Sequence, residues 1–230
     1  MKIAIMGAMP EEIAPILEKL GSYKTIEYAG NRYYEATYLG VDLVVAYSKI
    51  GKVFSTLTAT TMIEHFGADR LLFSGVAGAI SSTLKVGDLI VATKLSQHDL
   101  DITAFGHPYG YVPEGAVFVA ADEQMIELSK KVALEMGKNV QEGIIATGDQ
   151  FVAHEERKNW IGATFGADAL EMEGGSVAVV CDALCVPFFI LRAISDAADM
   201  DASFSFDAFL ESSAQESAVF IMKMVDQLVS

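Results

Sequence analysis

The chain has 230 residues, of which 52% are hydrophobic, and it carries a formal net charge of −15. This length and apolar content suit one domain with a large core, so a single domain over residues 1–230 is expected. The negative charge repels phosphate backbones and argues against nucleic-acid binding. No apolar run approaches the roughly 20 residues of a membrane-spanning helix, so no membrane association is expected.

Targeting and metal signals are weak. The first nine residues are too short and too interrupted for a signal peptide. Cys181 and Cys185 are the two cysteines, and neither their spacing nor that of the four histidines suits a metal site. We expect buried, reduced thiols in a cytoplasmic protein, with a redox pair as the alternative, and no metal or cofactor.

The first half of the chain alternates between strand-like and helix-like patterns. Pro10 suits the first turn of a helix, and Glu11 and Glu12 suit its positive end. The predicted elements are strands at residues 2–6, 24–28, 32–39, 41–48, 70–74 and 88–94, and helices at 10–20 and 52–66.

The second half contains a long loop over residues 98–113. Loops of this length are functional or disordered, and its aromatic residues argue against disorder. Asp122 and Ser205 are predicted helix caps. The elements are strands at residues 140–146, 169–170 and 188–191, and helices at 122–136, 154–161, 176–184 and 206–228. This alternation predicts an α/β domain with helices on both sides of a sheet, hence three layers.

Residues 186–196 combine a buried strand with a polar tip. Residues 188–191 are continuously apolar, which is typical of a strand buried on both faces. Arg192, Ser195 and Asp196 follow, although burying an unpaired polar group costs about 1–3 kcal/mol. Because ligands bind beyond the carboxyl ends of strands in open α/β sheets, the tip predicts a functional site. The alternative is a surface ion pair of Arg192 with Asp196, with Ser195 as a cap.

Polar residues also follow other predicted strands. Glu12 follows the first strand, and residues 149–151 and 171–173 follow two late ones. Strand ends of a parallel sheet meet at one edge, so these residues are expected to converge. Carboxylates bridge sugar hydroxyls, and a buried carboxyl can hold a proton. The set therefore predicts a site for a neutral polyhydroxylated ligand with a basic ring.

Simpler interpretations exist for several of these residues. Glu12 favours a helix N-terminus in any case, Glu171 is by type a solvated residue, and Phe151 alone suits a core position. Residues 75–78 lack the spacing of a dinucleotide fingerprint, which disfavours a Rossmann-type dehydrogenase. The sequence contains neither a nucleophile elbow nor a P-loop.

Seven segments carry a resemblance that spans nearly the whole chain. They are MGAMPEE (residues 6–12), SKIGKV (48–53), SGVAG (74–78), DITAFG (101–106), TGDQF (147–151), LEME (170–173) and RAISD (192–196). Together and in this order, they resemble the methylthioadenosine/S-adenosylhomocysteine nucleosidases of the nucleoside phosphorylase superfamily. They are most similar to the branch that also cleaves 6-amino-6-deoxyfutalosine. The resemblance implies a nucleoside phosphorylase-like fold with a mixed, largely parallel central sheet, and no cofactor.

The resemblance also implies a reaction. The substrates would be methylthioadenosine, S-adenosylhomocysteine, 5′-deoxyadenosine and 6-amino-6-deoxyfutalosine, each hydrolysed at its N-glycosidic bond through an oxocarbenium-like state to release adenine. Asp196 would protonate N7 of the leaving adenine, and Ser195 would orient Asp196. Glu12 would act as general base on the attacking water, with Arg192 helping to hold that water.

A substrate pocket and a homodimer are implied in the same way. Glu173 would accept hydrogen bonds from the ribose hydroxyls, Phe151 would stack on adenine, and the backbone of Val152 would read its edge. The other implied substrate contacts are Met9, Ile50, Val76, Glu171, Met172 and Phe206, with Ile102, Phe105 and Pro113 supplied by the neighbouring subunit through the loop at 98–113.

Two departures from the family pattern are present. Val76 replaces the serine of the enterobacterial pattern, so a hydroxyl near the water or sugar is missing. Gly174 and Gly175 replace a pair that usually includes alanine, and we expect them to loosen the helix start by about 0.5–1 kcal/mol.

Phosphorolysis and simple nucleoside binding are the alternatives to hydrolysis. Phosphate is best held by arginine, and among the four arginines (Arg32, Arg70, Arg157 and Arg192) only Arg192 is expected near the site, where Glu12 would repel phosphate. A binding domain would not need Glu12 and Asp196 together. Water is therefore the expected nucleophile. The preference among the substrates stays open, because apolar pockets discriminate by only about 1–3 kcal/mol per methylene-sized difference.

Overall fold

The computed structural model describes residues 1–196 and 202–229, without the side chains of 202–208. Ten strands and six α-helices alternate in these residues. The strands are β1 (Lys2–Gly7), β2 (Lys24–Tyr28), β3 (Asn31–Tyr38), β4 (Val41–Tyr47), β5 (Arg70–Ala79), β6 (Leu89–Gln97), β7 (Val119–Ala120), β8 (Val140–Thr147), β9 (Ala169–Glu171) and β10 (Phe188–Asp196). The helices are α1 (Pro10–Leu20), α2 (Lys52–Thr60), α3 (Glu123–Met136), α4 (Glu155–Phe165), α5 (Gly174–Ala183) and α6 (Ala202–Val229).

All ten strands join one mixed sheet. Its order is β10-β6-β8-β9-β5-β1-β4-β3-β2, with β7 paired to β6. Strand β10 also pairs with β5, so this part of the sheet closes on itself through five strands. Of the ten pairings, five are parallel: β1–β4, β1–β5, β5–β10, β6–β8 and β8–β9. The predicted α/β fold with a mixed sheet is confirmed; its extent as one domain over 1–230 stays a prediction.

The core follows from continuous apolar runs in the central strands. Strands β1 and β10 are buried along nearly their whole length, whereas the edge strand β2 is mostly exposed. Helix α6 packs against α1, α3 and β10, and α2 packs against α5. None of the described helices is long and apolar enough to cross a membrane.

Several predicted boundaries change in the structure. Strand β10 does not stop at Leu191 but continues to Asp196, because its polar end still pairs with β5. Helix α6 begins at Ala202, so the predicted cap at Ser205 is wrong. Helix α2 ends at Thr60 and continues as a π-helical segment, Thr61–His65. The predicted Asp122 cap is confirmed, since its Oδ1 accepts from the Met125 amide at 2.8 Å.

The two cysteines are both free thiols, but they lie in different surroundings. Cys181 is buried in α5, and burial raises its pKa to about 12. Cys185 lies beyond the end of α5, is exposed, and adopts a φ of 54°. The expectation that both are buried is therefore wrong for Cys185.

Candidate active site

One pocket lies where strand ends and following turns meet. It is lined by residues of β5, β9 and β10 and by the segments that follow β1, β4, β8 and β9. Twelve of the predicted site residues line it: Met9, Glu12, Ile50, Val76, Phe151, Val152, Glu171, Met172, Glu173, Arg192, Ser195 and Asp196. Residues that were not predicted to contact a ligand complete it: Ala8, Gly75, Ala77, Gly78, Gln150 and Leu170.

Four predicted site residues are not brought to this pocket. Ile102, Phe105 and Pro113 do not line it within the one chain described, and Phe105 is 81% exposed. The side chain of Phe206 lies outside the described residues. The roles assigned to these four stay predictions.

Glu12 is buried at the start of α1 and is held by backbone amides. Its Oε2 accepts from the amides of Ala8 at 2.5 Å and Met9 at 3.0 Å, and the Val76 amide is a further donor. Burial raises the pKa of Glu12 despite the opposing charge of Arg192 and these hydrogen bonds. A fixed carboxylate with a raised pKa is suited to take a proton near neutral pH.

Ser195 and Asp196 lie at a β-bulge near the end of β10. Ile194 pairs with Ala77 and Asp196 with Gly78, so Ser195 is the extra residue. Such bulges bend a strand and re-aim its side chains. The Ser195 hydroxyl donates to Asp196 Oδ2 at 2.8 Å, and both residues are buried at the pocket. This geometry orients a carboxyl group that faces the ligand space.

Glu173 is held by the turn after β4. Its Oε1 accepts from the Gly51 amide at 2.7 Å. Gly51 has a φ of 100°, and a Cβ there would lie 3.0 Å from Asp149 Oδ1, so glycine is required. Burial and the neighbouring negative charge of Glu171 raise the pKa of Glu173 to about 8.

Arg192 is paired with Glu171. Its Nη2 lies 2.7 Å from Glu171 Oε2, and both side chains are almost wholly buried. The Thr147 hydroxyl donates to the other Glu171 oxygen. The interpretations of Glu171 as a solvated residue and of Arg192 as a surface ion-pair partner are therefore wrong. Thr147 does not line the pocket but contacts Glu171, and its importance was not predicted from the sequence, although it lies in one of the seven segments.

The pocket has an excess of acidic groups. Glu12, Glu171, Glu173 and Asp196 line it, and Arg192 is the sole basic side chain among its described lining residues. The described residues contain no cluster of His, Cys, Asp and Glu that would hold a metal ion. This charge distribution favours a ligand that becomes positive during reaction and disfavours an anion.

Two exposed apolar side chains also line the pocket. Phe151 is 51% exposed and Ile50 is 54% exposed, although both are hydrophobic and line the pocket. An exposed aromatic ring beside buried polar groups is suited to stack on a planar heterocycle. The interpretation of Phe151 as a core residue is wrong.

A polar network, which the sequence did not reveal, joins the two turns that carry Ile50 and Phe151. The Lys52 amide donates to Asp149 Oδ1 at 2.8 Å, and Lys52 Nζ lies 2.7 Å from Asp99 Oδ1. Asp99 Oδ2 in turn accepts from the Asp149 amide at 2.8 Å. These contacts connect residues that are distant in sequence, so they cannot be predicted from the spacing of neighbouring residues.

The glycine pair at the start of α5 permits close packing. A Cβ on Gly174 would lie 2.8 Å from Leu95 Cδ2, and one on Gly175 would lie 2.8 Å from Thr147 Oγ1. The Gly175 amide also donates to Thr147 Oγ1 at 2.6 Å. The glycines thus allow the start of α5 to pack closely against Thr147. The sequence analysis expected only that they would loosen the start of the helix, and it did not predict this close packing.

A family model described as the phosphorylase superfamily matches residues 2–229. The chain therefore belongs to the phosphorylase superfamily. It is 58% identical to an aminodeoxyfutalosine nucleosidase of Campylobacter jejuni, over 99% of this chain and all of the relative.

Solved structures agree with this placement. The native structure of a futalosine hydrolase of Helicobacter pylori superposes with a TM-score of 0.97 at 52% identity, covering 98% of this chain and 97% of that one. A Helicobacter pylori 5′-methylthioadenosine/S-adenosylhomocysteine nucleosidase with butyl-thio-DADMe-Immucillin-A gives 0.96 at 52% identity, covering 98% of each chain. The predicted resemblance to the nucleosidases, and to their futalosine branch, is confirmed.

Proposed function

We propose that this chain hydrolyses the N-glycosidic bond of 5′-substituted adenine nucleosides. The proposed substrates are 6-amino-6-deoxyfutalosine, methylthioadenosine, S-adenosylhomocysteine and 5′-deoxyadenosine. The observation that carries the proposal is one pocket that holds both the amide-bound Glu12 carboxylate and the Ser195–Asp196 pair. Its relatives named as nucleosidases support the same reaction class.

The reaction needs one proton donor and one proton acceptor. Asp196 gives a proton to N7 of adenine while the bond between C1′ and N9 breaks and its electron pair moves to the purine. The ribosyl group is then an oxocarbenium-like cation. Glu12 takes a proton from water as the water oxygen bonds to C1′, so the products are adenine and the free sugar.

The remaining acidic groups stabilise the sugar. Glu173 accepts hydrogen bonds from the ribose hydroxyls, and the Glu12 carboxylate places negative charge beside the developing positive charge. Phe151 stacks on adenine, and the backbone of Val152 reads the edge of the base. Met9, Ile50, Val76, Met172 and Phe206 bound the ribose and the 5′ substituent.

Water rather than phosphate is the nucleophile. Arg192 is the one cation lining the described part of the pocket, and it already pairs with Glu171 at 2.7 Å. Arg70 pairs with Asp69 at 2.9 Å, and the Arg157 guanidinium stacks on Trp160 at 4.3 Å from the ring centroid. Neither lines the pocket. Because Glu171 already neutralises Arg192, this arginine is poorly suited to bind phosphate, which disfavours phosphorolysis.

A homodimer completes the site. Ile102, Phe105 and Pro113 of the loop at 98–113 enter the pocket of the neighbouring subunit. Support comes from exposed apolar side chains: Phe105 in that loop, and Val53, Phe54 and Leu57 on α2, of which Val53 is 76% exposed. Sedimentation equilibrium tests this proposal, which predicts twice the 24.7 kDa chain mass; a monomer at micromolar concentration would refute it.

The enzyme works in the cytoplasm. Both cysteines are free thiols, which fits a reducing compartment. Fractionation of cells that express a tagged chain tests this point.

The assay for the activity measures adenine from each of the four nucleosides. We expect adenine from all of them. The control is Asp182→Asn, which alters an exposed acidic residue of α5 and should release adenine at the same rate as the parent enzyme. If none of the four nucleosides released adenine, the proposed function would be refuted.

A further inference from the structure

The Glu171 carboxylate connects three elements at the pocket, which Glu171 also lines. One oxygen accepts from the Thr147 hydroxyl at the end of β8. The other accepts from Arg192 of β10 at 2.7 Å, and from the backbone amides of Glu173 at 3.1 Å and Gly174 at 2.7 Å. Three of these four bonds fall on Oε2 and one on Oε1, so protein donors fully engage one oxygen of the carboxylate and hold the other.

We propose that Glu171 is a positioning residue that fixes Arg192 and Glu173 for the reaction and does not itself hold the substrate. The proposal rests on the proposed function and replaces the substrate-binding role that the family resemblance assigned to Glu171. Its four protein contacts are the observation that carries it.

Arg192 depends on Glu171 for its orientation. Its Nη1 donates to the carbonyls of Leu191 at 3.1 Å and Phe73 at 3.4 Å, and its guanidinium lies 4.1 Å from the centroid of the Phe73 ring. Glu171 is its anionic hydrogen-bond partner among the described residues. A buried arginine that loses such a partner must move or leave its charge uncompensated.

The orientation of Arg192 bears directly on Glu12. A Cβ placed on Gly75 would lie 3.0 Å from Glu12 Oε1 and 3.3 Å from Arg192 Nη1, so the two groups flank the same α-carbon. The positive charge of Arg192 lowers the pKa of Glu12 against the effect of burial. Displacing Arg192 therefore alters the proposed general base without touching it.

Glu173 is fixed at both ends. Glu171 binds its backbone amide, and the Gly51 amide binds its side-chain Oε1 at 2.7 Å. The contacts of Glu171 with the amides of Glu173 and Gly174 also stabilise the start of α5. A helix cap alone does not require the contacts with Thr147 and Arg192, and this difference makes the role testable.

The Glu171→Gln variant separates the two roles, because a glutamine oxygen can still accept from the α5 amides but has no charge to hold Arg192. We expect kcat for adenine release to fall about 10²-fold, as for a misplaced catalytic group. The affinity for free adenine should be unchanged, since Phe151 and Val152 form another wall. The acidic limb of the kcat profile should move to higher pH as Arg192 ceases to lower the pKa of Glu12.

A threonine pair provides an independent test. Thr147→Val removes the hydroxyl that donates to Glu171 and should lower kcat about tenfold. Thr147→Ser keeps the hydroxyl and should restore most of the activity. This comparison remains informative if Glu171→Gln does not fold.

The outcomes distinguish the proposals. A parent enzyme that releases no adenine refutes the proposed function. If the parent enzyme is active, a Glu171→Gln enzyme with unchanged kcat and pH profile, even at a lower melting temperature, makes Glu171 a helix cap only and overturns the inference. Equal activities of the Val and Ser variants at position 147 would also overturn it.

Discussion

The Ser195 hydroxyl donates a 2.8 Å hydrogen bond to Asp196 Oδ2 within the β-bulge of β10. Because adjacent residues of a regular strand point to opposite faces, the bulge is what allows this contact beside the pocket. The bond fixes the orientation of the Asp196 carboxyl group at the pocket. The proposed acid is thus oriented by its own neighbour in the sequence.

Replacing the proposed acid should abolish most of the activity and leave the fold intact. Asp196→Asn keeps the shape of the side chain but cannot donate an acidic proton, so kcat should fall by about 10²–10⁴-fold. Adenine release and the melting temperature are the measurements, with Asp182→Asn as the matched control. Near-normal turnover of Asp196→Asn would favour a nucleoside-binding domain or another acid.

Removing the orienting hydroxyl should have a smaller effect. Ser195→Ala removes one hydrogen bond to Asp196 and should lower kcat about tenfold, the scale of one such bond. Ser195→Thr, which keeps the hydroxyl, is the matched comparison. A Ser195→Ala enzyme with the kcat of its parent would show that Asp196 needs no such partner.

The raised pKa of Glu173 predicts a dependence of stability on pH. Burial and the charge of Glu171 raise it to about 8, so the folded state binds more protons than the unfolded state between pH 4.5 and about 8. The free energy of unfolding should therefore fall as the pH rises from 4.5 to about 8, because the folded state must release the proton of Glu173. Glu173→Gln removes this penalty.

Thermal melts at pH 5 and pH 8 measure the effect. The Tm of Glu173→Gln relative to the parent should be higher at pH 8 than at pH 5, with each 1 kcal/mol worth about 2–4 °C in a domain of this size. A difference in Tm that is the same at both pH values would mean that Glu173 titrates as an ordinary carboxyl.

Gly148 is predicted to tolerate no side chain. A Cβ there would lie 2.3 Å from His98 Cε1 and 2.5 Å from His98 Nε2. The His98 ring is buried and lies 3.2 Å from Arg157 Nη2, and burial lowers its pKa to about 4, so it is a neutral ring with little room to move. Gly148→Ala should lower the free energy of unfolding by about 1–3 kcal/mol.

Denaturant unfolding compares this variant with two others. Gly115→Ala, where the nearest atom would lie 3.4 Å from the new Cβ, should be nearly neutral. Gly148→Ala combined with His98→Ala should recover part of the loss. Because Gly148 precedes the turn that carries Phe151, the single variant should also raise KM. A Gly148→Ala protein as stable as the Gly115→Ala protein would contradict the packing described.

The alternation of patterns in the sequence was enough to predict the α/β class and most of the elements. Apolar runs such as residues 188–191 predict buried strands because both faces must be covered. The pairing of β10 with both β5 and β6 was not predictable, since it joins segments far apart in the chain. The continuation of β10 to Asp196 was missed because the polar residues after Leu191 look like the end of a strand when the pairing with β5 is not known.

The site was predicted in part for the same reason. Carboxylates placed after strands identify Glu12, Glu173 and Asp196 as neighbours in space. The different contacts of Glu171 and Glu173 were not predictable, because two residues of one type differ only in the groups that surround them. Thr147 was missed because its importance lies in contacts with Glu171 and Gly175.

The origin of the oxygen added at C1′ distinguishes hydrolysis from phosphorolysis. The enzyme is incubated with methylthioadenosine in H₂¹⁸O containing inorganic phosphate, and the sugar product is analysed by mass spectrometry. Hydrolysis with Glu12 as base and Asp196 as acid predicts one ¹⁸O atom at C1′ of the free sugar and the same rate of adenine release without phosphate. A ribosyl phosphate product, or adenine release that requires phosphate, would contradict hydrolysis by water.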